Sequence, residues 1–406
     1  MFKKYMQIPL FTKLLAALVL GAAAGLFLGK DILVIKPLGT IFLNLLKMAA
    51  LPLIVFNLIA GISSLDDPKM FGRVGLKIMI YYTLTTVVAI LVGLGAGYLF
   101  QPGTGFVLQG SYDKAIQTVP SLGSTIIGLI PGNIVEALAK GRFDQIVVFS
   151  AIIGVAVLFL KPEDKAKAHD TFRVMSNLFN KVIGGIMVYA PIGVFSLMGC
   201  TAGTYGTQLG GFLAKYLGAS YAAILIHLCV YFVLLAVFAQ MGPVTFLRGA
   251  SNLIVTGLST SSSLACIPVN LDCADKLKAP RSISSFTISL GSQINKDGNG
   301  MMLAITFLFA AQAVNAPLST AMLVRAIILS LILTTGAGGV PGGGIVTIAI
   351  VIDAFGLPLE VAGIVSGIFA LIDMGYTTMN CLGDLVGTII VSKSEGKLGV
   401  ENPMES

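Results

Sequence analysis

Apolar residues run through this chain in long blocks with short polar breaks, and those blocks set the elements it predicts. Residues 10–29 (LFTKLLAALVLGAAAGLFLG) and 37–63 are each long enough to cross a bilayer as a helix, the second interrupted by Lys47 and Pro52. A third block covers about 75–100 and contains KIMIYYTLTTVVAI. A polar loop at 101–122 and the stretch IPGNIVEALAKGRFDQ, too polar to face lipid, precede a fourth block at 145–160. Blocks near 174–199 and 216–241 follow, making six predicted spans.

The C-terminal part follows a different rule. Residues 250–274 and 318–356 are apolar, but small residues break each near its centre: STSSSLACIPVN at 259–270 and TTGAGGVPGGG at 334–344. A lipid-facing helix cannot run through such clusters, because the freed backbone groups would find no partner in hydrocarbon. A helical hairpin that enters the membrane and returns by the same side solves this. Each predicted hairpin precedes a helix with a polar motif, INKDGNG (294–300) after the first and a polar stripe within 371–388 after the second. One full span lies between them, so the first starts from the cytoplasm and the second from outside. That is an inverted repeat meeting at the bilayer midplane, where transporters place their sites.

In the last predicted helix Asp373, Thr377, Asn380 and Asp384 stand at i, i+4, i+7 and i+11 and so share one stripe. The other faces carry Leu371, Ile372, Met374, Leu382, Leu385 and Val386. Two carboxylates, an amide and a hydroxyl on one intramembrane stripe are costly and normally line a substrate or ion pathway. An enzyme could use Asp373 and Asp384 as an acid/base pair, but eleven residues of helix separate them by about 16 Å. That is too far for a cooperating dyad, and no serine–base, cysteine or histidine arrangement supports one. A channel is the third class; a midplane site closed by a second hairpin argues instead for occluded transport.

Composition removes most other classes. Of 406 residues, 56% are hydrophobic and 11% charged, so the chain is a polytopic membrane protein. Its 47 glycines suit close helix packing and broken helices. The net charge of +7 belongs to short basic loops; without a basic stripe interleaved with aromatics, no nucleic-acid partner is expected. Cys200, Cys229, Cys266, Cys273 and Cys381 stand singly and read as small core residues. The two histidines are His169 in a charged loop and His227 in an apolar run, so no histidine metal centre is expected. Lys3, Lys4 and Lys13 precede the first block, Lys69, Arg73 and Lys77 follow the second, and Lys161, Lys165, Lys167, Arg173 and Lys181 follow the fourth. The alternate loops hold far fewer, which predicts cytoplasmic N- and C-termini in an inner (plasma) membrane. The opening MFKKYMQIPLFTKLL has no A-x-A cleavage site and reads as the start of a span.

At its four polar motifs the chain resembles the dicarboxylate/amino acid:cation symporter family, the glutamate and neutral amino acid transporters and their microbial relatives. The likeness covers nearly the whole chain. It includes KIMIYYTLTT, YAPIGVFSLM (189–198), the serine-rich tip, NKDG (295–298) for the family's NMDG, GAGGVPGGG, and DMGYTTMNCLGD (373–384) for D-M-G-R-T…N-V-T-G-D. The resemblance implies an all-α polytopic membrane protein: eight transmembrane helices plus two re-entrant helical hairpins with inverted repeats, working as an elevator-type transporter in a homotrimer. Residues 1–74 and 101–215 would form the scaffold. Residues 75–100 and 216–393 would form the transport domain, with hairpin 1 at about 250–274, helix 7 at 284–312, hairpin 2 at 318–356 and helix 8 at 359–393; 394–406 would be a cytoplasmic tail.

The resemblance also implies roles for single residues. The tip Ser261, Ser262 and Ser263, with Asn380, would hold a substrate α-carboxylate. Asp373 would take the substrate ammonium with Thr377 beside it, and Val340, Pro341 and Gly344 would close over the ligand. One sodium-like site would use Asn295, Asn380, Asp384 and the Gly291 carbonyl; another Tyr82, Thr85, Thr86, Asn295 and Asp297; a third the carbonyls of Thr334, Thr335 and Ala337.

Departures from the family pattern decide the expected substrate. Tyr376 stands where acidic-substrate members carry an arginine, and Thr260 where some microbial members place one at the first tip. A phenol cannot form a bidentate charged pair with a side-chain carboxylate. Asn299 replaces a threonine and adds a polar group near the ligand. Lys296 replaces methionine between Asn295 and Asp297, where its ammonium could stand in for a sodium ion or, losing its proton, couple transport to protons. The expectation is a secondary active transporter, not an enzyme, moving a small, neutral amino acid, with no cofactor and with the lipid bilayer and two further protomers as partners. Na⁺ is the candidate coupling ion, with H⁺ or no ion as alternatives. The runner-up is a sodium-independent or proton-coupled carboxylate transporter or exchanger in which Lys296 binds the carboxylate.

Overall fold

A computed structural model describes residues 10–63, 71–106, 127, 130–140, 142–336 and 343–399, and among these every regular element is helical. The N-terminal helices are α1 (Leu10–Leu28), α2 (Lys36–Ser63), α3 (Leu76–Phe100), α4 (Ile134–Ala139), α5 (Phe143–Leu158), α6 (Pro162–Tyr205) and α7 (Gln208–Leu234). They are followed by α8 (Pro243–Thr260), α9 (Ser263–Lys276), α10 (Arg281–Ile294), α11 (Asp297–Ala313), α12 (Thr320–Gly336), α13 (Gly343–Ala354) and α14 (Glu360–Ser394). Five stretches among the described residues are long and apolar enough to cross a membrane: Thr12–Leu45, Arg73–Phe100, Pro162–Tyr205, Leu209–Ala239 and Glu360–Ser394. Shorter apolar helices lie at Leu51–Ser63, Val148–Leu158, Thr320–Thr334 and Gly344–Ala354.

Small residues let the helices approach closely. A Cβ on Gly21 would lie 2.6 Å from the Phe195 carbonyl oxygen, and one on Gly25 or Gly203 would overlap the backbone of Gly199 or Gly29. The α1–α6 seam is therefore backbone against backbone, as expected where dispersion rather than water exclusion drives helix association. The α2 end of this set is tied by Ser196, which accepts from the Gly39 amide at 3.0 Å and donates to the Ile35 carbonyl at 2.6 Å. The helices α1, α2, α5 and α6 pack chiefly on one another, whereas α3 lies along α11 and beside α7. The α3–α11 contact again needs glycine: a Cβ on Gly93 would sit 2.7 Å from the Met301 carbonyl oxygen. Helix α14 is buried along nearly its whole length and touches α1, α3, α6 to α11 and α13.

Two breaks matter for function. The chain turns at Ser261–Ser262, with Ser261 left-handed (φ 47°) at the end of α8 and Ser262 capping α9, and α8 and α9 lie against each other. The single helix expected at 284–312 is instead two, α10 and α11, parted at Asn295, which is in extended backbone, and Lys296. The break is tolerated because side chains satisfy the freed groups: the Gly298 amide donates to Asn380 Oδ1 at 2.8 Å, and Lys296 Nζ donates to the Ser292 carbonyl at 2.5 Å. The tip between α12 and α13, with Ala337, Val340 and Pro341, lies outside the described residues.

At the far end of α14, Glu395 is clasped by Lys77 (2.6 Å) at the start of α3 and by Arg73 just before it. These hydrogen bonds, Lys77 first and then Arg73, hold its carboxyl below the usual glutamate range.

Candidate substrate and cation site

The broken helices bring their ends to the middle of α14. Asp373, Thr377, Asn380 and Asp384 are all buried there, from 9% exposed at Asp373 to 1% at Asp384. Burying two carboxylates demands partners, and the partners differ. Thr377 Oγ1 donates to Asp373 Oδ1 at 3.3 Å, one turn along the same helix. Asp384 Oδ1 accepts from Asn295 Nδ2 at 3.0 Å. Asn380 is used at both ends of its amide, accepting from Gly298 N and donating to Asn299 Oδ1 at 3.2 Å.

Lys296 is 1% exposed, and its Nζ donates to Ser263 Oγ at 3.2 Å as well as to the Ser292 carbonyl. It thereby joins the first residue of α9 to an open carbonyl in the last turn of α10, a place where a helix end favours positive charge. Within the α8–α9 turn, Thr260 Oγ1 donates back to the Thr256 carbonyl at 2.8 Å, and Ser262 Oγ accepts from the Ala265 amide at 3.3 Å.

Asp297, the first residue of α11, gathers donors from two other helices. Thr86 Oγ1 donates to Oδ1 at 2.7 Å and Thr85 Oγ1 lies 3.4 Å from the same oxygen. Oδ2 accepts from Tyr231 OH at 2.6 Å and pairs with His227 Nε2 at 3.2 Å.

The expected groupings are therefore redistributed. Thr85 and Thr86 lie on Asp297, but Asn295 turns its amide to Asp384 and to the Asn380 carbonyl (3.3 Å). Tyr82 donates to the Thr287 carbonyl at 2.8 Å, beside Gly291 and Asp384 rather than Asp297. The Gly291 carbonyl accepts the Asn295 amide at 2.8 Å. Thr334 is buried and bonds back to the Leu331 carbonyl, while Thr335 is the next-to-last residue of α12. Gly344, the second residue of α13, lies against Phe369 and Met302. Tyr376 is fully buried beside Tyr216, Ser220 and Tyr221 of α7, and its hydroxyl makes no hydrogen bond of normal geometry.

His227 and Tyr231 were not among the residues expected at the site, yet the pattern of α7 marks them: Tyr216, Ser220, His227 and Tyr231 fall on one stripe, and all four are 0% exposed.

An all-helical, membrane-embedded chain whose broken helices surround buried carboxylates has the makings of a transporter, and the comparisons agree. The chain belongs to the sodium:dicarboxylate symporter family, whose model matches residues 10–394. It is 30% identical to the proton/glutamate-aspartate symporter of Escherichia coli (strain K12), over 97% of this chain and 94% of that one. It is likewise 30% identical to the proton/sodium-glutamate symport protein of Bacillus caldotenax, over 97% and 96%. The C4-dicarboxylate transport protein of Bacillus subtilis (strain 168) is 29% identical over 98% and 96%. The protein is a transporter and not an enzyme.

Proposed function

We propose that this protein is a secondary active transporter for a small neutral amino acid and that Lys296 does part of the work of a coupling cation. Asp373 carries the reading. Its hydrogen-bond partner among the described residues is Thr377, and the nearby ammonium of Lys296 is engaged by Ser263 and Ser292. A buried carboxylate with no basic side chain bonded to it is suited to a ligand ammonium. The N-terminus of α9, with its hydroxyl-bearing residues, suits the ligand carboxylate. Tyr376, packed against α7, supplies no second positive group for an acidic side chain.

In this reading Ser261–Ser263, Asn299, Asp373, Thr377 and Asn380 contact substrate, and Val340, Pro341 and Gly344 cover it. Residues 75–100 and 216–393 move as one body against 1–74 and 101–215 in an elevator motion, within a homotrimer of the plasma membrane with cytoplasmic termini. The mutual packing of α1, α2, α5 and α6, apart from that of α3 with α7 and α11, supports the division. Na⁺ is the coupling ion where one is used, in line with the relatives named as proton/sodium symporters.

Uptake by proteoliposomes of neutral amino acids and of their deaminated analogues, with and without a sodium gradient, tests this. Amino acids should be taken up and deaminated analogues refused. Potent competition by aspartate or glutamate, or equal uptake of the deaminated analogue, would overturn it. That outcome would favour a second reading, a sodium-independent or proton-coupled carboxylate exchanger. The contact of Lys296 Nζ with Ser263 and the names of the C4-dicarboxylate relatives support this alternative.

A further inference from the structure

The surroundings of Asp297 do not fit the cation site that the family resemblance implies for it. An ionised carboxylate offers about four lone-pair positions. On Oδ2, Tyr231 OH at 2.6 Å and His227 Nε2 at 3.2 Å occupy both. Because a carboxylate only accepts, His227 carries its hydrogen on Nε2, which agrees with Nδ1 being buried without a partner. Oδ1 takes Thr86 at 2.7 Å, and the carboxyl group is 0% exposed.

The neighbouring groups expected to share a cation with Asp297 make other contacts. Thr85 Oγ1 donates its hydrogen to the Tyr81 carbonyl, at 3.0 Å, in preference to Asp297 at 3.4 Å. Asn295 faces two acceptors, Asp384 Oδ1 and the Asn380 carbonyl, and this fixes its amide with nitrogen rather than oxygen on that side. The same nitrogen meets the Asp297 side at Gly383, where an added Cβ would lie 2.6 Å from Asn295 Nδ2, 2.5 Å from Tyr231 OH and 3.3 Å from Asp297 Oδ2. A side chain at 383 would therefore push the tyrosine hydroxyl away from its place on the carboxylate. Asn295 Oδ1 is buried without a hydrogen-bond partner among the described residues.

We propose that Tyr231 and His227 hold Asp297 as a structural anion that binds no sodium ion, so that α7 limits the number of ions the transporter couples. This deepens the transporter reading and rests on it. Tyr231 and His227 are positioning residues: they act on Asp297 and touch no substrate. Among the described residues, the carboxylate left to serve a cation beside Asn295 is Asp384.

The test is the melting temperature of the purified full chain in detergent, titrated with NaCl at ionic strength held constant by choline chloride. A ligand that binds the folded state alone raises the melting temperature. Wild type and Asp297→Asn should show the same sodium response. Tyr231→Phe, which frees one position on Oδ2, should gain a further sodium-dependent rise of about 2–4 °C or more. His227→Gln keeps an N–H donor and should follow wild type. If Tyr231→Phe does not fold, His227→Ala opens the same oxygen and carries the same expectation. A wild-type sodium response that disappears in Asp297→Asn would overturn the proposal, as would folded Tyr231→Phe and His227→Ala proteins with wild-type responses. Melting does not need transport, so failure of the uptake panel would sink the transporter reading and leave this result standing.

Discussion

Replacing Lys296 with methionine removes one buried positive charge while keeping a flexible chain of similar length. In the structure that charge sits on two hydrogen bonds, to Ser263 Oγ at 3.2 Å and to the Ser292 carbonyl. A hydrogen bond from a charged donor contributes about 1.5–3 kcal/mol, against about 1 kcal/mol for a neutral one. The charge on Lys296 therefore accounts for roughly 1–4 kcal/mol across the pair. If the ammonium stands in for a coupling ion, the variant must recover that stabilisation from an ion in solution. At about 1.4 kcal/mol per tenfold, sodium stimulation of uptake should rise between about fivefold and about 1000-fold. The assay is the initial rate of uptake by proteoliposomes with and without an inward sodium gradient, expressed as a ratio for Lys296→Met and for the parent. A ratio that stays the same in an active variant refutes the reasoning. Loss of uptake in both conditions also refutes it and points to direct contact between Lys296 and the substrate carboxylate.

Three further outcomes are expected. Asp373→Asn keeps the shape of the side chain but removes the anion, so amino acid uptake should fall by at least about 100-fold, the loss of about 3 kcal/mol for one charged contact, with melting temperature little changed. Gly203→Ala places a methyl group on the Gly29 backbone at the α1–α6 seam and should lower stability by about 1–3 kcal/mol, read as a lower melting temperature in detergent. Glu395 has its folded-state pKa depressed by Lys77 and Arg73, so its stabilising effect is complete above the ordinary glutamate range and is lost as pH falls through the lowered value. Melting curves of Glu395→Gln and wild type should differ near neutrality and converge in acid; a constant gap would refute that account.

Much of this architecture was readable from residue pattern alone. Apolar blocks long enough to span predict helices because hydrocarbon leaves the backbone no other way to pair its polar groups. The serine cluster at 259–263 predicts a turn for the same reason, and the chain turns at Ser261–Ser262. The i, i+4, i+7, i+11 spacing from Asp373 to Asp384 needs only the helical repeat to put those groups on one stripe. These are local properties, settled within a few turns of chain.

What the tertiary structure decided are the pairings between distant parts. Splitting of the expected 284–312 helix depends on Asn380 taking the Gly298 amide, a partner 82 residues away. The division of donors between Asp297 and Asp384 depends on how α7 and α10 pack on α14, where Gly383 admits Tyr231 and Asn295 turns toward Asp384. His227 looked like part of an apolar run because its partner lies 70 residues away, on another helix. A carboxylate must find donors to be buried at all, and the sequence by itself determined that Asp297 and Asp384 would need them. Which helices supply those donors, and whether room remains for an ion, is set by side-chain reach across packed helices, which only the folded chain defines.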